Sequence, residues 1–428
     1  MKKIFSIAVL ALFSFTKAQF SVNVEAGSAF LSKDAILYSL DGSKDIILSK
    51  EVKKGNQWKF TVPHRYIGMM KIYFPEHNNS VTFVSENKDV KINLQTDATK
   101  IKEIVYLDDT NILMEKIQAD EKKSDLILPA LVQIKDYYKD SSEFGTALKN
   151  EIQRLKGKTV VSAEKNPFIA FYEANYQRFA SENPDKKLPS SQEIINFISN
   201  SDEKLESSSL MRPVLLSYLN SGNPQNVAEN VDLLLEKLNL ETPRGQTVLS
   251  ELIDIFDIYD MPEMKEKYLT KAKNLKCTIH NRLATTLKIN KNVEMGAKFP
   301  DYRFNYAKNT TAKSIYEVKS DKKIVVFWSS TCSHCEKELP VLLEKYSQLK
   351  SKKIEIIGFS LDTEKSAYES RVAALPWIND SELRGWNSSF TETYNVHATP
   401  TYFVLDSENK IIAKPDHASD VLQFFGLK

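Results

Sequence analysis

Two cysteines separated by two residues, Cys332 and Cys335, are the side chains of this sequence best suited to chemistry. They follow a short apolar run, Ile324 to Phe327, whose β-branched residues favour a buried strand, and they precede an amphipathic pattern typical of a helix. At a helix N-terminus, unpaired N–H groups and a partial positive charge favour a thiolate over a thiol. Two cysteines there can close a disulfide, with the first exposed and the second behind it. The stretch predicts a redox-active pair.

The third cysteine, Cys277, leaves a second use of the pair open. Cys277 and His280 have metal-like spacing, and with Cys332 and Cys335 they would complete a Cys3His zinc site. The apolar, helical context of Cys277 favours a small buried hydrophobe instead. Two of the four ligands would also have to come from another domain. We therefore expect no metal, and a structural zinc protein remains an alternative.

The first residues have the three parts of a secretory signal. Lys2 and Lys3 form a basic start, Ile4 to Phe15 an apolar core, and small residues around Ala18 a cleavage site. The apolar core is too short to span a bilayer. The sequence therefore predicts a signal peptide over residues 1–18 and a protein exported to the periplasm or cell envelope, with no stable membrane insertion.

Charge and length restrict the remaining function classes. Loss of the three lysines of the signal would take the formal net charge from +2 to −1. A nearly neutral chain gives no electrostatic reason to expect nucleic acid or anionic lipid as a partner. A length of 428 residues allows two or three domains, and three cysteines are too few for a disulfide-stapled scaffold.

Three regions follow the signal. Residues 19–100 contain short apolar or alternating runs between turn signals, which predict a small all-β domain, a sandwich or an open barrel. Residues 105–291 repeat apolar residues at three- and four-residue spacing, which predicts an all-α region. The predicted strands of the first region are Ala35 to Leu40, Trp58 to Val62, Met69 to Phe74, Val81 to Val84 and Val90 to Leu94.

The last region, residues 293–428, has an α/β pattern. Ile354 to Asp362 is a second buried strand, at the spacing expected of a βαβ unit. Thr401 to Asp406 and Ile411 to Ala413 predict an antiparallel hairpin, and Lys298 to Phe304 has the form of an edge strand entered through a proline.

The last region carries a set of motifs whose order and spacing agree: Phe327-Trp328, Cys332-x-x-Cys335, Glu338, Pro340, Asn395-Val396 and Thr399-Pro400-Thr401. By these motifs the region 293–428 resembles the thioredoxin-fold domain of the TlpA/ResA-like envelope thiol–disulfide oxidoreductases. The resemblance implies that Pro400 is a cis proline and that Trp328, Thr399 and Pro400 contact a bound substrate. The N-terminal region resembles, more loosely, a β domain of unknown function found in Bacteroidetes envelope proteins.

The resemblance also implies roles around the pair. Cys332 would be the attacking thiol, Cys335 the resolving thiol, and Glu338 the acidic residue placed beneath them. No bound cofactor is needed, and the partners would be protein thiols and disulfides, with an upstream membrane or envelope redox partner.

The dipeptide between the cysteines leaves the direction of electron flow open. The family resemblance implies a reductase. An imidazolium at His334 would stabilise the Cys332 thiolate and make the couple more oxidising. A binding module that responds to redox state without turnover is the remaining alternative.

Overall fold

The structure is a computed structural model that describes residues 20–157, 159–181 and 186–427. It contains N-terminal β-sheets, a central helical region and a C-terminal α/β domain. The predicted signal peptide, residues 1–18, lies outside the described residues. None of the helices in these ranges is long and apolar enough to cross a membrane.

The N-terminal strands form two four-stranded sheets that enclose one core. The strands are β1 (Phe20–Ala26), β2 (Asp34–Asp41), β3 (Lys44–Val52), β4 (Gln57–Val62), β5 (Ile67–Phe74), β6 (Asn79–Glu86), β7 (Val90–Thr96) and β8 (Ile101–Tyr106). Their orders are β4-β1-β7-β8 and β3-β2-β5-β6. Trp58 of the first sheet packs against Phe74 of the second, with ring centroids 5.0 Å apart. The arrangement is a sandwich.

The sequence reading missed β1, β3 and β8. Every residue of strand β3 is exposed or half-buried, and the strand carries Lys44 and Lys50, as suits an edge strand. Strand β8 is an edge strand of the other sheet, next to β7, and it also lies largely outside the core. It extends the sandwich beyond residue 100. Both strands contain apolar residues, including the run Ile46-Ile47-Leu48 of β3, but none of their side chains is buried.

The central region is built from helices, of which α5, α6, α8 and α9 pack against α7. The helices are α1 (Asp109–Lys135), α2 (Glu143–Lys156), α3 (Pro167–Asn175), α4 (Ser191–Asn200), α5 (Met211–Ser221), α6 (Val227–Leu238), α7 (Pro243–Ile258), α8 (Pro262–Lys273) and α9 (Asn281–Asn292). A π-helical turn, Tyr176–Ala180, continues α3, and a 3-10 turn, Pro224–Asn226, precedes α6. Every residue of α7 from Gly245 to Phe256 is buried.

Helix α7 also joins the helical region to the sandwich. Glu251, which is fully buried, accepts a hydrogen bond from the Ser43 backbone N–H at 2.7 Å and pairs with Arg282 at 3.0 Å. Ser43 lies in the turn between β2 and β3. These two contacts hold α7 against the β2–β3 turn of the sandwich and against α9.

The C-terminal domain has a five-stranded sheet of order β11-β10-β9-β12-β13. Its elements are β9 (Lys322–Trp328), α10 (Ser333–Ser351), β10 (Ile354–Ser360), α11 (Lys365–Val372), β11 (Ile378–Ser381), α12 (Ser389–Thr393), β12 (Thr401–Leu405), β13 (Ile411–Ala413) and α13 (Ala418–Phe424). Strands β9 and β10 are parallel, and β12 is antiparallel to both β9 and β13. The predicted buried strands and the hairpin are confirmed.

The predicted edge strand at Lys298 to Phe304 is wrong. The segment makes only isolated bridges, from Lys298 to Lys410 and from Arg303 to Ser314. Pro300 has no backbone N–H to give to a ladder. Phe299 is instead buried and stacks on Tyr394, with ring centroids 4.5 Å apart, so the segment is held by its side chains.

Candidate active site

Strand β9 and helix α10 place the cysteine pair. The strand is apolar on both faces because Ile324, Val326 and Trp328 enter one core cluster while Val325 and Phe327 enter another. A strand buried on both sides holds the loop that follows it in a fixed position. The cysteine pair therefore begins α10 at the end of the central strand of the sheet.

Cys332 is the N-cap residue of α10 and is only partly buried. Its Sγ accepts a hydrogen bond from the Cys335 backbone N–H at 3.5 Å and lies 3.1 Å from the Thr399 carbonyl oxygen. Partial burial alone would raise the pKa of the Cys332 thiol. Hydrogen bonds from the Thr399 side chain, from the backbone N–H and thiol of Cys335 and from the His334 backbone N–H outweigh that effect, so the pKa lies below its ordinary value. Cys332 is suited to attack as a thiolate.

Cys335 lies behind it and is almost completely buried. Both thiols are free, so the structure represents the reduced pair. Burial raises the pKa of the Cys335 thiol to about 12. The pair is therefore asymmetric: an accessible sulfur that ionises easily precedes a buried sulfur that keeps its proton.

A buried carboxylate, Asp362, holds the loop that precedes Cys332. It follows β10 and accepts hydrogen bonds from the Ser330 backbone N–H at 2.9 Å and from the hydroxyl groups of Ser329, Ser330 and Ser360 at 3.1, 2.7 and 2.6 Å. The sequence reading missed this residue. Its signal was an acidic residue at the end of the strand parallel to β9.

Glu338 lies one helical turn beyond Cys335, on the same side of α10. Its side chain is 22% exposed. Oε2 accepts hydrogen bonds from the Ala418 backbone N–H at 2.5 Å and from the Tyr402 hydroxyl at 3.4 Å, while Oε1 lies 3.3 Å from His417 Nδ1. The sequence reading predicted a role for Glu338 but did not find Tyr402 or His417. These contacts hold the carboxylate in one place.

His334, one of the two residues between the cysteines, is exposed. Among the described residues its imidazole has no hydrogen bond or ion pair, and its contact with the Cys332 sulfur comes from the backbone N–H. The structure thus places His334 at the site without fixing its ring.

The expectation that Trp328 contacts a substrate needs correction. Its side chain is fully buried beneath the site, because strand alternation turns it into the core below α10. Its indole Nε1 lies beside Gly358 of β10, together with Trp377 Nε1 and Asn379 Oδ1. None of these three buried atoms has a hydrogen-bond partner within the described ranges. Trp328 is a core residue.

The loop from residue 395 to residue 400, called here the Pro400 loop, faces Cys332. The Thr399–Pro400 peptide bond is cis. The loop is anchored to the helical region, because Asn395 donates a hydrogen bond to Asp257 of α7 and His397 Nε2 lies 3.4 Å from the same carboxylate.

Asp257 is the residue of the helical region that holds the Pro400 loop. Lys265 of α8 pairs with it at 2.7 Å. Burial alone would raise the pKa of the Asp257 carboxyl, but hydrogen bonding to His397 and the charge of Lys265 outweigh burial, so its pKa lies well below its usual range. No feature of the sequence pointed to this contact between two regions.

The described residues contain no group of three or more histidine, cysteine or acidic side chains that could hold a metal ion. Cys277 and His280 therefore do not join the Cys332 pair in a zinc site. Cys277 also lies in the loop between α8 and α9 rather than in a helix, half-buried, where its Sγ accepts a hydrogen bond from Gln246 Nε2 at 3.4 Å. The predicted apolar helical context was wrong.

A mixed five-stranded sheet, a Cys-x-x-Cys pair at the start of the helix after its central strand and a cis proline facing the pair define a thioredoxin-like domain. A family model described as thioredoxin-like matches residues 321–411.

Curated relatives of this segment carry one name. The chain is 28% identical over 103 residues to the thiol-disulfide oxidoreductase ResA of one strain of Bacillus cereus, a match that covers 23% of this chain and 56% of that protein. It is 31% identical over 91 residues to ResA of a second strain of the same species, which covers 20% and 49%. The chain spans about half the length of the curated relatives that it matches.

Solved structures are similar to the chain over different lengths. The thioredoxin domain of a thiol-disulfide oxidoreductase from Bacteroides vulgatus is 24% identical, with a TM-score of 0.29, and the match covers 31% of this chain and 96% of that one. A thioredoxin-like protein from Bacteroides caccae is 17% identical, with a TM-score of 0.33, and the match covers 57% and 95%.

Proposed function

We propose that this protein is an exported thiol–disulfide oxidoreductase that exchanges disulfides with proteins of the periplasm or cell envelope. The observation that carries the proposal is the asymmetric pair at the start of α10. Cys332 is accessible and has a lowered pKa, whereas Cys335 is buried and has a raised one. The similarity to enzymes named thiol-disulfide oxidoreductase adds support.

The reaction has two exchange steps. The Cys332 thiolate attacks one sulfur of a substrate disulfide, so that a Cys332–substrate bond forms, the substrate S–S bond breaks, and the leaving sulfur takes the electron pair and then a proton. Cys335 loses its proton and attacks the Cys332 sulfur. This closes the Cys332–Cys335 disulfide and releases the substrate as a dithiol, reduced by two electrons.

Glu338 is proposed as the acceptor of the Cys335 proton. A buried thiol with a raised pKa ionises slowly without a base nearby. The carboxylate is one turn away on the same helix, and the Tyr402 hydroxyl and the Ala418 N–H hold it in place. Burial raises the pKa of the Tyr402 hydroxyl, and the charges of Glu338, Cys335 and Cys332 raise it further, so Tyr402 keeps its proton and donates to the carboxylate.

The reverse sequence oxidises a substrate dithiol, and the identity of the partner decides which direction operates. A reductase needs an upstream envelope or membrane thiol donor to reopen the Cys332–Cys335 disulfide. Thiols carry all the electrons, so the exchange requires no bound cofactor.

The test is a trap for the mixed disulfide. Cys335→Ser should accumulate covalent adducts with substrate proteins, because the Cys332 bond to the substrate then has no resolving thiol. Cys332→Ser should accumulate few adducts, and the native pair should turn over with repeated additions of a disulfide substrate. Equal adduct yields from both variants would mean that the nucleophile is misassigned. Adducts without turnover by the native pair would favour the redox-responsive binding module.

A further inference from the structure

A cleft of about 860 Å³ lies between the helical region and the thioredoxin-like domain. Met261, between α7 and α8, lines one wall. Ala398 and Thr401 line the other, and they flank the Thr399–Pro400 bond. Because the Thr399 carbonyl oxygen is 3.1 Å from Cys332 Sγ, the cleft begins within a few residues of the reactive sulfur.

The separation between the Cys332 sulfur and the start of the cleft is short compared with the length of a substrate segment. A substrate joined to Cys332 by a mixed disulfide must lie against the Pro400 loop at its own cysteine. An extended chain advances by about 3.3–3.6 Å per residue. Residues two or three positions from the substrate cysteine therefore reach the cleft.

The cleft presents apolar side chains to solvent. On the helical wall Ile258 is 42% exposed and Met261 is half-buried, and Met295, in the segment that follows α9, is 59% exposed. Methionine is unbranched and polarisable, so it packs against side chains of different shapes. Apolar groups gathered in a cleft indicate an interaction site rather than scattered surface residues.

The cleft also has an acidic excess. Asp260, Glu266 and Asp416 line it, and none of them forms an ion pair with another described residue. Of its cations, Lys265 is already paired with Asp257, which leaves Lys414 to oppose the three carboxylates. Electrostatic complementarity therefore favours a basic occupant.

The two walls are fastened to each other at one end. Asp257 binds Asn395 and His397 of the Pro400 loop, and Asn292 of α9 donates a hydrogen bond to the Thr393 carbonyl oxygen at 3.1 Å. The cleft is therefore formed before a substrate arrives, which lowers the conformational cost of binding.

We propose that the helical region supplies the outer wall of a polypeptide-binding cleft, which takes the extended segment beside the substrate cysteine and selects segments with apolar and basic residues. The inference rests on the proposed function and assigns its substrate class. It gives the helical region a direct part in substrate selection.

The experiment uses the full chain and two synthetic peptides. Each peptide has one cysteine carried as a mixed disulfide with thionitrobenzoate, flanked by leucine and lysine in one peptide and by leucine and glutamate in the other. Attack by Cys332 releases thionitrobenzoate, and the second-order rate is read at low ionic strength. The wild type should react with the basic peptide about tenfold faster, equivalent to about 1.4 kcal/mol in the barrier.

Glu266→Lys should reduce this preference to about twofold or less. Its reaction with the mixed disulfide of glutathione and thionitrobenzoate, which is too short to extend into the cleft, should stay unchanged. Glu236→Lys is the matched control, because Glu236 is an exposed, unpaired residue of α6 outside the cleft lining. It makes the same charge change and should keep the preference.

Equal rates of the wild type with the two peptides would overturn the proposal. So would a preference that survives Glu266→Lys, or an equal loss of rate with the glutathione disulfide, which would place the effect at the cysteine pair. A wild type that reacts with none of the three disulfides would instead refute the proposed exchange function.

Discussion

Replacing Glu338 by glutamine keeps the shape of the side chain and removes the proposed acceptor of the Cys335 proton. Burial raises the pKa of Cys335 to about 12, from an ordinary value of 9.0. Such a rise lowers the thiolate fraction near neutral pH by about 1,000-fold. The more basic thiolate is a better nucleophile by roughly 20-fold. A net deficit of about 50-fold remains, which is slightly less than the roughly 100- to 10,000-fold that a positioned general base typically supplies. Glu338→Gln should therefore slow resolution by about 50-fold.

The assay separates the two steps in one trace. The protein carries Cys277→Ala, because that third thiol is free and would also react. Dithionitrobenzoate added to the reduced protein then releases one thionitrobenzoate when Cys332 attacks and a second when Cys335 resolves the mixed disulfide. Glu338→Gln should leave the first phase unchanged and slow the second. The second phase should then rise about tenfold per pH unit, because hydroxide must remove the proton.

Glu344→Gln provides the control for this assay, since Glu344 is an exposed carboxylate of the same helix and its one ion pair among the described residues is with Lys345. It should leave both phases unchanged. A second phase in Glu338→Gln within twofold of the wild type, with the same pH dependence, would refute the proton-acceptor role.

Two further predictions concern charges at and away from the pair. His334→Ala should raise the Cys332 pKa and lower the reduction potential, measured against glutathione, by at most a few tens of millivolts. The effect is small because the exposed ring is screened by water, and about 30 mV corresponds to 1.4 kcal/mol. If neither the pKa nor the potential changes, the ring has no influence on the Cys332 sulfur. Burial, with Glu173 and Asp125, raises the pKa of Glu121 to about 8. The fold therefore favours the protonated acid, and stability present below about pH 4.5 is lost as pH rises to about 8, by up to about 5 kcal/mol. Glu121→Gln should flatten that loss in denaturant titrations, and an equal slope with pH in both proteins would contradict it.

The sequence predicted the elements that position the cysteine pair because their signals are local. Strands β9 and β10 are buried on both faces and therefore appear as unbroken apolar runs. The Cys-x-x-Cys spacing marks the start of α10. Edge strand β3 gives a weaker signal, since its short apolar run, Ile46-Ile47-Leu48, is not buried and the strand has no two-residue alternation.

The surroundings of the pair could not be predicted in the same way. Asp362, Tyr402 and Asp257 approach the site from elements that are 30 or more residues distant along the chain from Cys332, and only the packing of those elements brings them together. Trp328, in contrast, was predicted to contact the substrate and does not line the site. It stands close to Cys332 in sequence, but the two-residue period of the strand turns it away from the substrate side.

Gly358 limits how far this domain could be redesigned. A Cβ at this position would lie 2.6 Å from Asn379 Oδ1 and 3.0 Å from Trp328 Nε1, although the backbone of Gly358 has no left-handed conformation that requires glycine. A side chain would therefore displace the indole that supports the end of β9, and the displacement would reach the cysteine loop. Protein engineers who tune the redox potential can vary the exposed residues between the cysteines. Position 358 of β10, in contrast, must keep a glycine, because there is no space for a side chain.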